Sequence, residues 1–161
     1  MRPPRNSIGR IILSFARAFV GIGFLLREPN ARIHVAAALT VTGAGLLATL
    51  SRVEWAVVLA SIGLVFALET LNTALEGYVD LAAPGRHETA GRAKDAAAGA
   101  VLLASFTSVG VAVILFGPRL GALWEALGQA WTDHPLAVGL YISVTLTFLL
   151  AGVLWRDKWP A

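Results

Sequence analysis

Three carboxylates and one amide stand in a single row near the middle of this chain. Glu69, Asn72, Glu76 and Asp80 fall at i, i+3, i+7 and i+11 within residues 67–80. At roughly 100° per residue they share one narrow helical stripe. Leu68, Leu71, Leu75 and Val79 occupy the other faces. The segment continues directly out of residues 55–66, an apolar run without a charge. An ionisable group near the centre of a bilayer helix costs roughly 2.5–3.5 kcal/mol, so an aligned row of them marks a functional site. A polar seam that only glues helices together is the plainer alternative, but gluing has little use for three acids on one face. Hard oxygen donors suit Mg²⁺, which takes one or two protein carboxylates and completes its shell with water and substrate phosphate. Glu28 and Glu76 can meet as such a pair at the membrane surface. Lys94 can bear on a phosphate as a point charge. Phosphoryl transfer to an alcohol also needs a base, and Glu69, the acid deepest in the apolar segment, is the candidate.

The elements that position these groups belong to a membrane protein. Of 161 residues, 57% are hydrophobic and 14% charged, and the mean hydropathy is +0.70. A soluble domain carries about 25% charged residues. The absence of cysteine removes disulfides, thiolate nucleophiles and cysteine-based metal sites. No cleavable signal peptide is expected, because Arg17, Arg27, Glu28 and Arg32 interrupt the first apolar stretch. There is neither a Walker A sequence nor a kinase glycine-rich loop followed by a strand, which excludes a soluble nucleotide-binding fold.

The expected fold is all-α. Residues 1–13 read as a basic leader and helix start, with a cap at Asn6 or Ser7. Over residues 8–26, Ile8, Ile11, Ile12, Phe15, Phe19 and Ile22 recur at helical spacing with Arg10 and Arg17 among them, which predicts an amphipathic helix lying in the membrane interface. Pro29 breaks it, since helical geometry is disfavoured before proline. Residues 33–50 then predict a first span, rich in Ala and Gly that permit close helix approach. Residues 55–80 predict a second span and 96–116 a third, joined by a polar loop over 81–92. Leu120, Leu123, Trp124, Leu127 and Trp131 line one face of a predicted interfacial helix over 119–134. Residues 136–155 predict a fourth span, followed by an anchoring end. Trp124, Trp131, Trp155 and Trp159 read as interface anchors, and His34 as interfacial packing.

Six arginines precede the first predicted span, and Arg86, Arg92 and Lys94 occupy the second loop. The positive-inside rule therefore puts both termini and that loop in the cytoplasm. Arg2, Arg5 and Arg10 fit topology and contact with anionic lipid rather than nucleic acid.

The run Glu69-Thr70-Leu71-Asn72-Thr73-Ala74-Leu75-Glu76 followed by Asp80, then His87 and the run from Ala93 through Lys94 and Asp95 to Val101, resembles the small prokaryotic diacylglycerol kinase family. Pro29-Asn30-Ala31-Arg32-Ile33-His34 and Glu54-Trp55 look more like its undecaprenol kinase branch. The likeness covers residues 14–120, leaving 121–161 as a C-terminal extension. It implies a three-span kinase core behind an interfacial N-terminal helix, with the fourth span added, in the inner or plasma membrane. It also implies a homotrimer with active sites shared between protomers, using ATP and Mg²⁺ to phosphorylate a membrane lipid alcohol: undecaprenol first, diacylglycerol as the alternative. By the same likeness Glu69 is the catalytic base, and Glu28 and Glu76 are the metal carboxylates. Asn72 and Asp80 belong to the polar helix face that meets the nucleotide, Arg86 and His87 to the nucleotide loop, and Lys94 and Asp95 to the phosphate side.

Two other classes compete with a lipid kinase. A transporter or channel component would use the acidic stripe as a proton or cation path, but has little need for Arg86, Lys94 and Asp95 beside it. A non-catalytic scaffold explains the small residues and leaves Glu69, Asn72 and Glu76 without a purpose.

Overall fold

The computed structural model describes residues 7–85 and 87–154. Among them are six α-helices and one 3₁₀ turn: α1 (Ser7–Leu25), α2 (Pro29–Leu47), α3 (Arg52–Ala82), α4 (Glu88–Phe116), the 3₁₀ turn Gly117–Arg119, α5 (Leu120–Asp133) and α6 (Pro135–Leu154). The expected leader over 1–6, Arg86 and the anchoring end over 155–161 lie outside the described residues.

Proline and local caps set the boundaries. Pro29 occupies the first turn of α2, where its missing N–H leaves no bond unmade. At the start of α3 the Ser51 hydroxyl accepts from the Glu54 N–H at 3.3 Å, and the Glu54 carboxylate accepts from the Ser51 N–H at 2.8 Å. Gly85, at φ 119° in the turn between α3 and α4, holds a conformation that side-chain-bearing residues rarely adopt.

The most extensive packing joins α3 to α4 and α2 to α6, with α2 also touching α3. The α2–α6 pair is antiparallel, since Gly43 meets Tyr141 while Ile33 meets Gly152. At one end of the molecule Leu50, Val58 and Phe116 form a buried cluster. Beside it, Arg119 reaches Glu54 at 2.6 Å and the Leu115 carbonyl at 2.7 Å, tying the start of α3 to the end of α4. At the other end gather the α1–α2 corner, the end of α3, the start of α4 and the last turn of α6.

Gly45 belongs to the first end. A Cβ there would lie 2.9 Å from the Trp55 ring and 3.1 Å from Leu50. Gly45→Val is expected to cost about 1–3 kcal/mol through overpacking. The check is thermal unfolding in detergent beside Gly63→Ala, whose added Cβ meets nothing within 4 Å.

Among the described residues, four candidate spans satisfy the length and apolarity of a crossing: Ile8–Leu25, Arg52–Ala82, Glu88–Asp133 and Pro135–Leu154. This differs from expectation at two helices. By those criteria α1 qualifies and α2 does not, because Asn30, Arg32 and His34 in the opening turns of α2 lower its apolarity. The 31 residues of α3 give about 46 Å of helix, against roughly 30 Å of hydrocarbon. One end of α3 must therefore project past the apolar layer, as must one end of the 29-residue α4.

Candidate active site

The stripe of α3 folds as its spacing requires. Glu69 is 2% exposed and Asn72 8%, while Glu76 is half-buried and Asp80 exposed. Polarity therefore rises with water access toward the end of the helix. The Asn72 side-chain amide donates to the Glu76 carboxylate at 2.8 Å. That bond fixes the amide's orientation and leaves Asn72 Oδ1 buried with no hydrogen-bond partner among the described residues. A buried acceptor without a donor is expensive, on the order of 1–3 kcal/mol, and is a place for an external donor or cation to arrive.

Glu28 caps the start of α2 with extended backbone and makes no side-chain cap bond. It is half-buried at the α1–α2 corner. The charges of Glu76 and Glu28 both reach Glu69, so the fold brings together the three acids that the sequence singled out from two separate segments. Among the described residues no three His, Cys, Asp or Glu side chains form a metal cage by themselves. The oxygen-only side chains of Glu28 and Glu76, with the open Asn72 carbonyl beside Glu76, have the donor chemistry for a cation that takes one or two carboxylates and finishes its shell with phosphate.

On the α4 side, Lys94 Nζ donates to the Asp80 carboxylate, bridging the opening turns of α4 and the end of α3. The two phosphate-side residues therefore do not point the same way. Adjacent helical residues point about 100° apart, so when Lys94 faces α3, Asp95 must face away, and it is exposed. His87 is the residue before α4, exposed and without a side-chain cap bond. Arg92 pairs with Glu88 at 2.6 Å one turn away on the surface. Arg86 lies outside the described residues.

An open, apolar crevice of about 220 Å³ lies between α2, α3 and α4, lined among others by His34, Val58, Ile62, Val65 and Phe66. The hydroxyls of Ser61, Ser105 and Ser108 also line it. Each donates to a carbonyl of its own helix at 2.9 Å, so none is held out to grip a headgroup. Val58, Ile62, Val65, Glu69 and Asn72 follow one another at intervals of three or four residues. The crevice wall and the acidic stripe are therefore one continuous face of α3, and Glu69 stands one turn beyond Val65. The crevice is a feature that sequence reasoning missed. Its only sequence signal was the apolar continuation of the Glu69 stripe back to Val58.

The comparisons with known proteins agree with this geometry. Residues 16–116 match the family described as prokaryotic diacylglycerol kinase. The chain is 43% identical over 117 residues to the undecaprenol kinase of Bacillus subtilis, covering 72% of this chain and 95% of that protein. It is 41% identical over 115 residues to a diacylglycerol kinase of Synechocystis, covering 70% of this chain and 66% of that protein. A diacylglycerol kinase of Haemophilus influenzae is 43% identical over 54 residues, 34% of this chain and 46% of that protein. No solved structure matches the chain. With the kinase family matched over the helices that carry Glu28, Glu69, Glu76 and Lys94, this chain belongs to the prokaryotic diacylglycerol kinase family and is a multi-pass membrane lipid kinase.

Proposed function

We propose that the protein transfers the γ-phosphate of ATP to the hydroxyl of undecaprenol, with diacylglycerol as the alternative acceptor. The observation that carries the reading is the continuity of the apolar crevice with Glu69. A hydrocarbon chain laid along Val58, Ile62 and Val65 ends one helical turn below a buried carboxylate. Likeness to the Bacillus subtilis undecaprenol kinase over nearly all of that protein favours the polyprenyl alcohol. The hydroxyls of the crevice are turned to their own helices, which suits an acceptor with no headgroup to recognise.

Glu69 takes the proton of the lipid hydroxyl as its oxygen bonds to the γ-phosphorus, and the bond to the β–γ bridging oxygen breaks to release ADP. Phosphoryl transfer leaves the protein mostly positioning and charge compensation. Glu28 and Glu76 would hold Mg²⁺, which when bound offsets phosphate charge. Asn72 orients the Glu76 carboxylate. Lys94, held by Asp80, serves the phosphates, and Arg86, His87 and Asp95 complete the nucleotide side.

The same reading organises the membrane. Because α2 runs antiparallel to α6 from Ile33 to Gly43, it shares the depth of a helix that qualifies as a span. Helices α2, α3 and α4 then form the three-span core of residues 14–120, and α6, in the extension over 121–161, is a fourth span. Helix α1 touches the bundle chiefly through α3 and keeps Ile8, Ile12, Phe15 and Phe19 exposed, which suits an interfacial helix. Both termini and the site face the cytoplasm, and the working unit is a homotrimer.

The deciding experiment uses purified protein in nanodiscs with radiolabelled ATP, offered undecaprenol and diacylglycerol separately. A higher kcat/KM on undecaprenol is expected. Equal or greater efficiency on diacylglycerol reverses the assignment.

A further inference from the structure

Helix α6 lies outside the family match, which ends at residue 116, yet its last turn sits against the active-site corner. Two contacts make the junction. The first is Gly152, where an added Cβ would fall 2.8 Å from the Pro29 carbonyl oxygen, 2.6 Å from Ile33 Cγ1 and 3.1 Å from the Ile33 nitrogen. Two of those three atoms are backbone and cannot swing aside. A glycine inside a helix costs about 1 kcal/mol relative to alanine, and the close approach of two backbones accounts for it here.

The second contact is Arg32. A cation in the opening turns of a helix opposes the helix dipole. Arg32 turns its guanidinium elsewhere. Nε donates to the Leu26 carbonyl at 3.0 Å, just past the end of α1, and one terminal nitrogen donates to the Ala151 carbonyl at 3.2 Å. Ala151 lies in the last described turn of α6. One side chain thus ties the end of α1 to α6. Between those anchors runs the turn that presents Glu28, closed by Arg27 N–H to Phe24 O at 3.0 Å and Glu28 N–H to Leu25 O at 2.9 Å.

We propose that the last turn of α6 is a buttress for the active site, setting the position of the Glu28 corner through Gly152 and the Arg32–Ala151 bond. Arg32 and Gly152 are positioning residues. The consequence for catalysis rests on the assignment of Glu28 to Mg²⁺; the structural content does not.

The test uses the full chain in nanodiscs and two readouts. In protein free of ATP and Mg²⁺, amide exchange at Arg27 and Glu28 is expected to rise roughly tenfold in Gly152→Val. With ATP and lipid supplied, the Mg²⁺ concentration for half-maximal activity is expected to rise several-fold, while kcat at saturating Mg²⁺ stays near wild type. Tyr141→Phe loosens the same helix pair at its other end by removing the bond to the Leu39 carbonyl, and should move neither quantity. If Gly152→Val does not fold, Arg32→Gln, which removes the grip without adding bulk, gives the same two readings. Unchanged exchange at the corner in the folded variant overturns the proposal, and so does an equal rise in Tyr141→Phe. Faster exchange with an unchanged Mg²⁺ requirement upholds the buttress and removes Glu28 from the metal site.

Discussion

Glu69→Gln is expected to lower kcat roughly 10²–10⁴-fold, the range for losing a positioned general base, with little change in apparent ATP affinity. Glutamine keeps the size of the side chain, so packing around this nearly inaccessible position is retained. It cannot take a proton from an alcohol. The nucleotide side of the stripe begins farther along α3: seven residues at about 1.5 Å each put Glu76 about 10 Å from Glu69 along the axis. The Asn72–Glu76 hydrogen bond lies on that side and remains intact. On the proposed reading Glu69 serves the lipid end, one turn from Val65 and Phe66 in the crevice wall. Steady-state kinetics in both substrates, with nucleotide binding measured separately, separates the roles. Loss of ATP binding with the chemical step spared would remove Glu69 as base and bring Asp95 forward.

Glu76→Gln is expected to abolish most turnover at ordinary Mg²⁺, by roughly 10²–10³-fold. The substitution is chosen because a glutamine oxygen can still accept from the Asn72 amide. What disappears is the negative charge and with it half of the Glu28–Glu76 pair. Helix content by circular dichroism and the oligomer by crosslinking should match the wild type. Raising Mg²⁺ should recover part of the lost activity. Wild-type turnover at ordinary Mg²⁺ would exclude Glu76 from the metal site.

Both predictions concern α3, and α3 is where sequence and structure agree most closely. Helical periodicity is local: Glu69, Asn72 and Glu76 share a face because of where they stand in the chain, whatever packs against them. The breaks were legible for the same reason. Pro29 opens α2, Gly85 turns α3 back toward α4, and Pro135 opens α6. The apolar runs of α3, α4 and α6 likewise announced spans, because the bilayer demands length and apolarity from each helix separately.

Pairing between helices was not legible. Lys94 and Asp80 are 14 residues apart and meet because α4 folds back along α3. Asp95, next to Lys94 in the chain, is turned the other way by the helical twist. The crevice beside Val65 needs three helices at once. Arg32 and Ala151 are 119 residues apart, and nothing in either segment names the other. The membrane places of α1 and α2 show the same division. Apolarity alone favours α1 as a span over α2, whereas α2 is packed along its length against α6. Spacing along one helix thus determined which groups could act together on α3. Which neighbours complete the site was decided by helix–helix packing, where close approach at Gly152 and a cation shared between two helices depend on atoms brought together only in the folded chain.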